Sequence, residues 1–286
     1  MKQSIKSVMI FLAAVMLTAC GNDETGGDSR VVSLMPSNTE ILAEMGMGDD
    51  LAAVTTEADY PQAVVDDEDL MRLNAFELDE EQLTALDPTH ILSHASLGGV
   101  NEDIINRVAE TTGAEILVVE DAQNIEGIYE SIRQIGEFMG ETQAAESVIS
   151  RMAEEIGALK SQYAGREEDA EAFIHISDQP EIYTSGEDTF IHHALEVIDV
   201  ENAFDDLEGF PSVSAEDVVE RDPDLIISVM GLDDRALETS IRETPGFEGL
   251  KISQPANQCN INPDLLSRPG PRIVEGLADA GQCVYE

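Results

Sequence analysis

The chain is predicted to fold as an α/β protein of two Rossmann-like lobes, each on a central parallel sheet, joined by a single long backbone helix. Three observations predict this. First, Thr142–Tyr163 sets Ala145, Val148, Ile149, Met152, Ile156, Leu159 and Tyr163 at spacings of three and four, which is one apolar face of one helix. At ~1.5 Å per residue it would extend about 30 Å, roughly a small domain's diameter, so it can join two bodies. Second, one phrase stands on each side of it: Glu81-Gln-Leu-Thr-Ala-Leu-Asp-Pro-Thr-His-Ile-Leu-Ser93 and Glu216-Asp-Val-Val-Glu-Arg-Asp-Pro-Asp-Leu-Ile-Ile-Ser228. Each reads as a short helix, stopped by Asp-Pro, then a buried strand. Third, strand-like and helix-like segments alternate on both sides, as crossover connections of a parallel sheet require.

The expected order begins with an export signal. Lys2 and Lys6 precede an apolar run over residues 8–17, too short to span a bilayer. Leu-Thr-Ala-Cys20 resembles a bacterial lipobox, which implies cleavage before Cys20 and lipidation of its thiol; a plain secretory signal is the simpler alternative. Residues 21–29, rich in Gly and Asp, read as a flexible tether. Residues 30–140 then form a first lobe, 141–164 the connecting helix and 165–286 a second lobe, a length that suits two cores.

In the first lobe, Arg30-Val-Val-Ser-Leu34 reads as a strand and Ile41, Leu42 and Met45 as the apolar face of a helix. Ser37 and Glu40 stand at capping-box spacing just after Pro36. Further strands are expected at 52–55, 89–93 and 115–119, with helices over 102–111 and 125–139. In the second lobe, 172–176 reads as a strand, Tyr183-Thr-Ser-Gly186 as a turn and 188–197 as a helix, with Ser185 and Asp188 again at capping-box spacing. Strands at 225–229 and 249–252 and a closing helix over 272–280 complete the plan.

Asp and Glu total 59 against 15 Lys plus Arg, a formal charge of −44. So much like charge repels itself at low ionic strength, so the chain is expected to work in high salt, where the Debye length falls to ~3 Å at 1 M. The acids are spread along the chain, as on a solvated surface, and exclude nucleic acid as a partner. With Cys20 assigned to the anchor, Cys259 and Cys283 remain as a disulfide in an oxidising compartment or as two buried thiols.

Six phrases together resemble the helical-backbone substrate-binding proteins of ABC importers. They are the stretch 30–48 (RVVSLMPSNTEILAEMGMG), Ala58-Asp-Tyr-Pro61, the two Glu-to-Asp-Pro phrases, Tyr183-Thr-Ser-Gly186 and Ser267-Arg-Pro-Gly-Pro-Arg-Ile273. Those proteins handle cobalamin, haem and ferric siderophores, and the cobalamin binders are the most similar in pattern. The resemblance implies a ligand held between the lobes at the C-terminal ends of the strands. By position it implies Ser37, Asn38, Thr55, Tyr60, Phe76 and His94 from the first lobe, and Tyr183, Phe210, Asp264 and Arg268 from the second. Asp264 and Arg268 would hydrogen-bond the amides of a corrin rim. Cobalamin binders tend to wall the cleft with Trp and this chain has none, so Phe76, Phe210, Tyr183 and His94 would supply the flat surface.

The resemblance also implies the partners: a membrane permease with its ATPase, met through Glu81 and Glu216, one glutamate per lobe. The chain would act as a monomer at the cell envelope, periplasmic or on the outer face of the cytoplasmic membrane, held by its lipid anchor. It would carry no cofactor of its own and no catalytic residue.

The duller readings are a core role for Phe76 and Phe210, a turn at Tyr60-Pro61, and surface charge for Glu81, Glu216 and Arg268. His94 would either ligate the metal of a haem or corrinoid or serve as a hydrogen-bonded side chain. A direct His cluster is not expected. His90 and His94 lie about 13 Å apart along one strand, and His192 and His193 point some 100° apart on a helix, so that only one could ligate. An envelope hydrolase is the rival class, but no Gly-x-Ser-x-Gly elbow, His-Glu-x-x-His or Gly-rich phosphate loop is present, and Ser185 reads as a cap.

Overall fold

The computed structural model describes residues 29–165 and 170–285. The expected signal segment, Cys20 and nearly all of the tether lie outside the described residues. Among the described residues, no helix is long and apolar enough to cross a membrane.

The first lobe runs β1 (Val31–Ser33), α1 (Pro36–Glu44), β2 (Leu51–Thr55), α2 (Gln62–Asp66), β3 (Met71–Leu73), α3 (Glu80–Ala85), β4 (His90–His94), α4 (Glu102–Thr112), β5 (Glu115–Val119) and α5 (Ile125–Phe138). Its five strands form a parallel sheet in the order β3-β2-β1-β4-β5. The helix α6 (Thr142–Tyr163) follows, with all seven predicted apolar positions buried.

The second lobe runs β6 (Ala170–His175), β7 (Ile182–Tyr183), α7 (Phe190–Leu195), β8 (Val200–Asn202), β9 (Ser212–Val213), α8 (Ala215–Arg221), β10 (Leu225–Ser228), α9 (Asp234–Glu243), β11 (Gln258–Asn260), α10 (Pro263–Leu266) and α11 (Ile273–Tyr285). Its main sheet, β11-β10-β6-β8, is also parallel, and β7 and β9 pair antiparallel beside it. This is the two-lobed α/β architecture that the alternation predicts.

The repeated phrase occupies equivalent places. Asp79 caps α3 by accepting from Gln82 N, Ser214 caps α8 by accepting from Asp217 N, and each Asp-Pro lies between its helix and the next strand. The sheets are joined by apolar packing as well as by chain. One buried cluster takes in Val31 and Leu92 of the first sheet, Ile128, Ile132 and Ile135 of α5, the apolar face of α6, and Ile174, Ile227 and Leu277 of the second lobe. Gly136 lets α5 cross α6 closely, since a Cβ there would stand 2.4 Å from Ala145 Cβ.

Several elements differ from expectation. Ser37 and Glu40 are not a capping box: Pro36 is the first helical residue, Met35 takes the N-cap position without a side-chain bond, and both residues are buried inside α1. Proline at the first turn starts the helix two residues too early for Ser37 to cap it. In α7 the cap is Thr189, which accepts from His192 N, and Ser185 hydrogen-bonds the Thr189 hydroxyl instead. Tyr183 is not in a turn, since it pairs with Ser212 in the small two-stranded antiparallel sheet. Residues 249–252 form no strand. They lie in and between 3-10 turns, and the edge strand is β11, nine residues further on, which pairs with β10. The helix α2 and strand β3 carry no clear period and were not foreseen.

Cys259, in β11, and Cys283, in α11, form a disulfide with Cα atoms 5.7 Å apart. It ties the edge strand itself, not the loop after it, to the closing helix.

Candidate functional site

The loops at the C-terminal ends of the strands meet along the seam between the lobes, and an ion-pair cluster holds them. After β2, Thr55 is buried at the strand end and the chain runs through Glu57, Asp59 and Tyr60. Across the seam stand α10 and the segment leading to α11. Arg268 pairs with Asp59, donates to Glu57 O at 3.1 Å and lies 3.4 Å from Glu40 of α1. Within its own lobe it pairs with Asp264, four residues earlier in the chain. Arg272 reaches the same Glu40 oxygen at 3.4 Å and lays its guanidinium 4.3 Å above the Tyr60 ring. Gly270 allows this approach, because a Cβ there would come within 3.3 Å of Glu40 Oε2.

The electrostatics follow from burial. The Glu40 side chain is 2% exposed. Burial pushes its pKa up to about 7, against the pull of Arg272 and Arg268. Asp264 is raised by burial and by its hydrogen bond with Asp59. Burial acts on Asp59 in the same direction, but the hydrogen bonds from Asp264 and Arg268 outweigh it and hold Asp59 below the usual range. Asp264 is therefore the member of this pair that keeps a proton longest. The Tyr60 hydroxyl donates to Glu44 Oε1 at 2.7 Å, which with burial raises the phenol to about 12. Glu44 in turn is paired with Arg151 of α6.

The seam thus brings together Tyr60, Asp264 and Arg268 of the expected site. Ser37 is buried on α1 below Gly270, and Asn38 donates to Ser93 O at 3.1 Å, fixing α1 to the end of β4. The other four stand apart from the cluster. Phe76 and Phe210 are not core residues: they are 64% and 50% exposed, each in a loop beside a strand end. Tyr183 is half-buried in the two-stranded sheet. His94 is buried, its Nδ1 held by Ser96 N and Ser96 Oγ and lying 3.2 Å from Asp121. Burial lowers its pKa, Asp121 and Glu120 opposing. A ring so enclosed offers no open flat wall, and of its two nitrogens Nδ1 is already engaged.

Glu40, Asp59 and Arg272 were missed as site residues. The available signals were an acid inside the apolar face of α1 and two arginines, Arg268 and Arg272, flanking Pro-Gly-Pro. His192 and His193 also depart from expectation. With Glu196 they place one ligand atom each within 4.8 Å of one another, because Glu196 lies three and four residues on and so covers both rings.

The periplasmic binding protein family matches residues 31–253. The chain belongs to that family. The ABC transporter substrate-binding lipoprotein YvrC of Bacillus subtilis is 31% identical over 306 residues, covering 96% of this chain and 95% of its own. The vitamin B12-binding protein of Pectobacterium carotovorum is 29% identical over 249 residues, 86% of this chain and 84% of its own. Among solved structures, a protein of Staphylococcus epidermidis described as a possible iron-binding (periplasmic solute-binding) protein superposes with a TM-score of 0.82 at 32% identity. The match covers 90% of this chain and 98% of that one. As a periplasmic binding protein of the helical-backbone class, the chain is the substrate-binding component of an ABC importer.

Proposed function

We propose that this binding protein captures cobalamin or a related corrinoid in the cleft between its lobes and delivers it to a membrane permease coupled to an ATPase. The observation that carries the reading is the Asp264–Arg268 pair on the second lobe, facing the Glu57–Tyr60 loop of the first. Its donors and acceptors lie at the strand ends, where open α/β sheets bind ligands. A corrin rim bears amides that both donate and accept, so it can hydrogen-bond these groups in place of their cross-seam partners. Phe76 and Phe210, large and solvent-exposed, are suited to cover an apolar face in place of the missing tryptophans. The similarity to a vitamin B12-binding protein over most of both chains supports the same ligand class.

A second reading, an iron chelate such as haem or a ferric siderophore, is favoured by the description of the Staphylococcus epidermidis structure. Calorimetric titration of the purified protein in molar salt with cyanocobalamin, haemin and a ferric hydroxamate separates them. Heat with cyanocobalamin alone supports the corrinoid, heat with either iron compound alone supports the second reading, and heat with none of them removes both.

In this proposal Cys20 carries the lipid that tethers the protein to the cell envelope, as the name of the YvrC relative suggests. Glu81 on α3 and Glu216 on α8 are exposed at equivalent helix starts and serve as the permease contacts.

A further inference from the structure

We infer that His192, His193 and Glu196 form a site for one divalent transition-metal ion, away from the seam and independent of the cleft ligand. The local sequence dictates the arrangement. Ile191, Ala194 and Leu195 bury the inner face of α7 and so fix its rotation. His192, His193 and Glu196 are left on the outer flank, half-buried, half-buried and exposed in turn. The two imidazole rings lie 5.0 Å apart, nearly perpendicular, and His193 Nδ1 is 3.1 Å from Glu196 Oε2.

The three ligand atoms lie within 4.8 Å of one another. A tetrahedral zinc ion with bonds of ~2.0–2.1 Å to nitrogen and oxygen requires its ligands roughly 3.3 Å apart, a difference that small side-chain rotations absorb. Two imidazole nitrogens and one carboxylate oxygen are also the donor set of open zinc sites, which keep a fourth position for water. Imidazole favours zinc, copper and nickel over magnesium and calcium, so this donor set discriminates against the ions that an acidic surface gathers without selection.

Neighbouring groups hold the rings only weakly. Asn202 Nδ2 donates one hydrogen to Ser185 O at 2.8 Å and makes a long contact of 3.4 Å with His192 Nδ1, so a metal would take His192 through its other ring nitrogen or displace this weak contact. The remaining contact, His193 with Glu196, is the pairing that a cation would take over. Bound metal would join α7 to the 3-10 turn that begins at Glu196 and so brace the face of the second lobe beside β8.

The test uses the full chain in mild detergent and molar sodium chloride, stripped with chelator, dialysed against zinc chloride and assayed for bound metal. One zinc per chain is expected. At a hundredfold excess over Kd the thermal midpoint should rise by roughly 5 to 10 °C, with no rise in magnesium. The double variant His192→Gln/His193→Gln should lose both the zinc and the rise. Failure of the parent to retain zinc, retention by the double variant, or an equal rise in magnesium would each overturn the assignment. Should the double variant not fold, Glu196→Gln decides: at least a tenfold loss of zinc affinity upholds the site, and unchanged affinity removes it.

Discussion

The guanidinium of Arg268 and the carboxylate of Asp59 meet across the seam, and through them the last segment of the second lobe grips the loop after β2. Arg268 is 18% exposed and also contacts Glu40, Glu57 and Asp264, so it acts as the hub of the seam and not as a surface ion pair. Removing it leaves Glu40 with Arg272 alone among the cations of this cluster.

Arg268→Ala is therefore expected to lower stability by roughly 2 kcal/mol, since it breaks a largely buried network while part of the loss is screened at the exposed rim. It should also let the lobes separate. Chemical denaturation and small-angle scattering in molar salt check both effects. An unchanged midpoint together with an unchanged radius of gyration would show that Arg268 does not hold the seam.

The second prediction concerns Glu40 and pH. Its pKa is about 7 in the folded protein against 4.5 ordinarily, so the folded state binds this proton more tightly than the unfolded one. The stabilisation this provides is complete below about pH 4.5 and is lost as pH rises through 7. Glu40→Gln, which mimics the protonated form, should remove a pH-dependent term of roughly 2 to 3 kcal/mol between pH 4.5 and 8. Parallel stability curves for parent and variant across that window would contradict it.

The third concerns the Cys259–Cys283 bridge, which closes a separation of 24 residues. Replacing both cysteines by alanine should lower stability by about 3 kcal/mol on the chain-entropy account. The loss should fall on the second lobe, because the bridge joins β11 to α11. Hydrogen exchange that accelerates equally in β1 and β4 would place the effect elsewhere.

The fourth concerns docking. Glu81→Ala with Glu216→Ala should leave ligand affinity unchanged and reduce uptake through the reconstituted importer several-fold or more, since one anionic contact per lobe suits a two-fold permease. Transport equal to the parent's would remove the docking role, and a parallel fall in ligand affinity would assign the glutamates to the cleft.

What the sequence by itself determined is whatever depends on local period and punctuation. The face of α6 was legible because seven apolar residues recur at helical spacing, and the two lobes were legible because the helix, Asp-Pro and strand phrase recurs on both sides of it, whereas the caps at Asp79 and Ser214 emerged only in the structure. Short elements were less so. An apolar run at 249–252 suits a strand or a turn equally, and only the partner strand β10 chose the later segment, 258–260. The tertiary structure alone decided the seam. Glu40 looked like a cap, but Pro36 moved the helix start and turned Glu40 inward, to be met by Arg268 from 228 residues further along the chain. Phe76 and Phe210 divided equally between core and cleft on sequence grounds, and only the packing of the whole chain decided that both stay exposed. Local preference depends on residues three or four apart. The charge balance of a buried carboxyl depends on whatever the fold brings within a few ångströms, and no local pattern carries that.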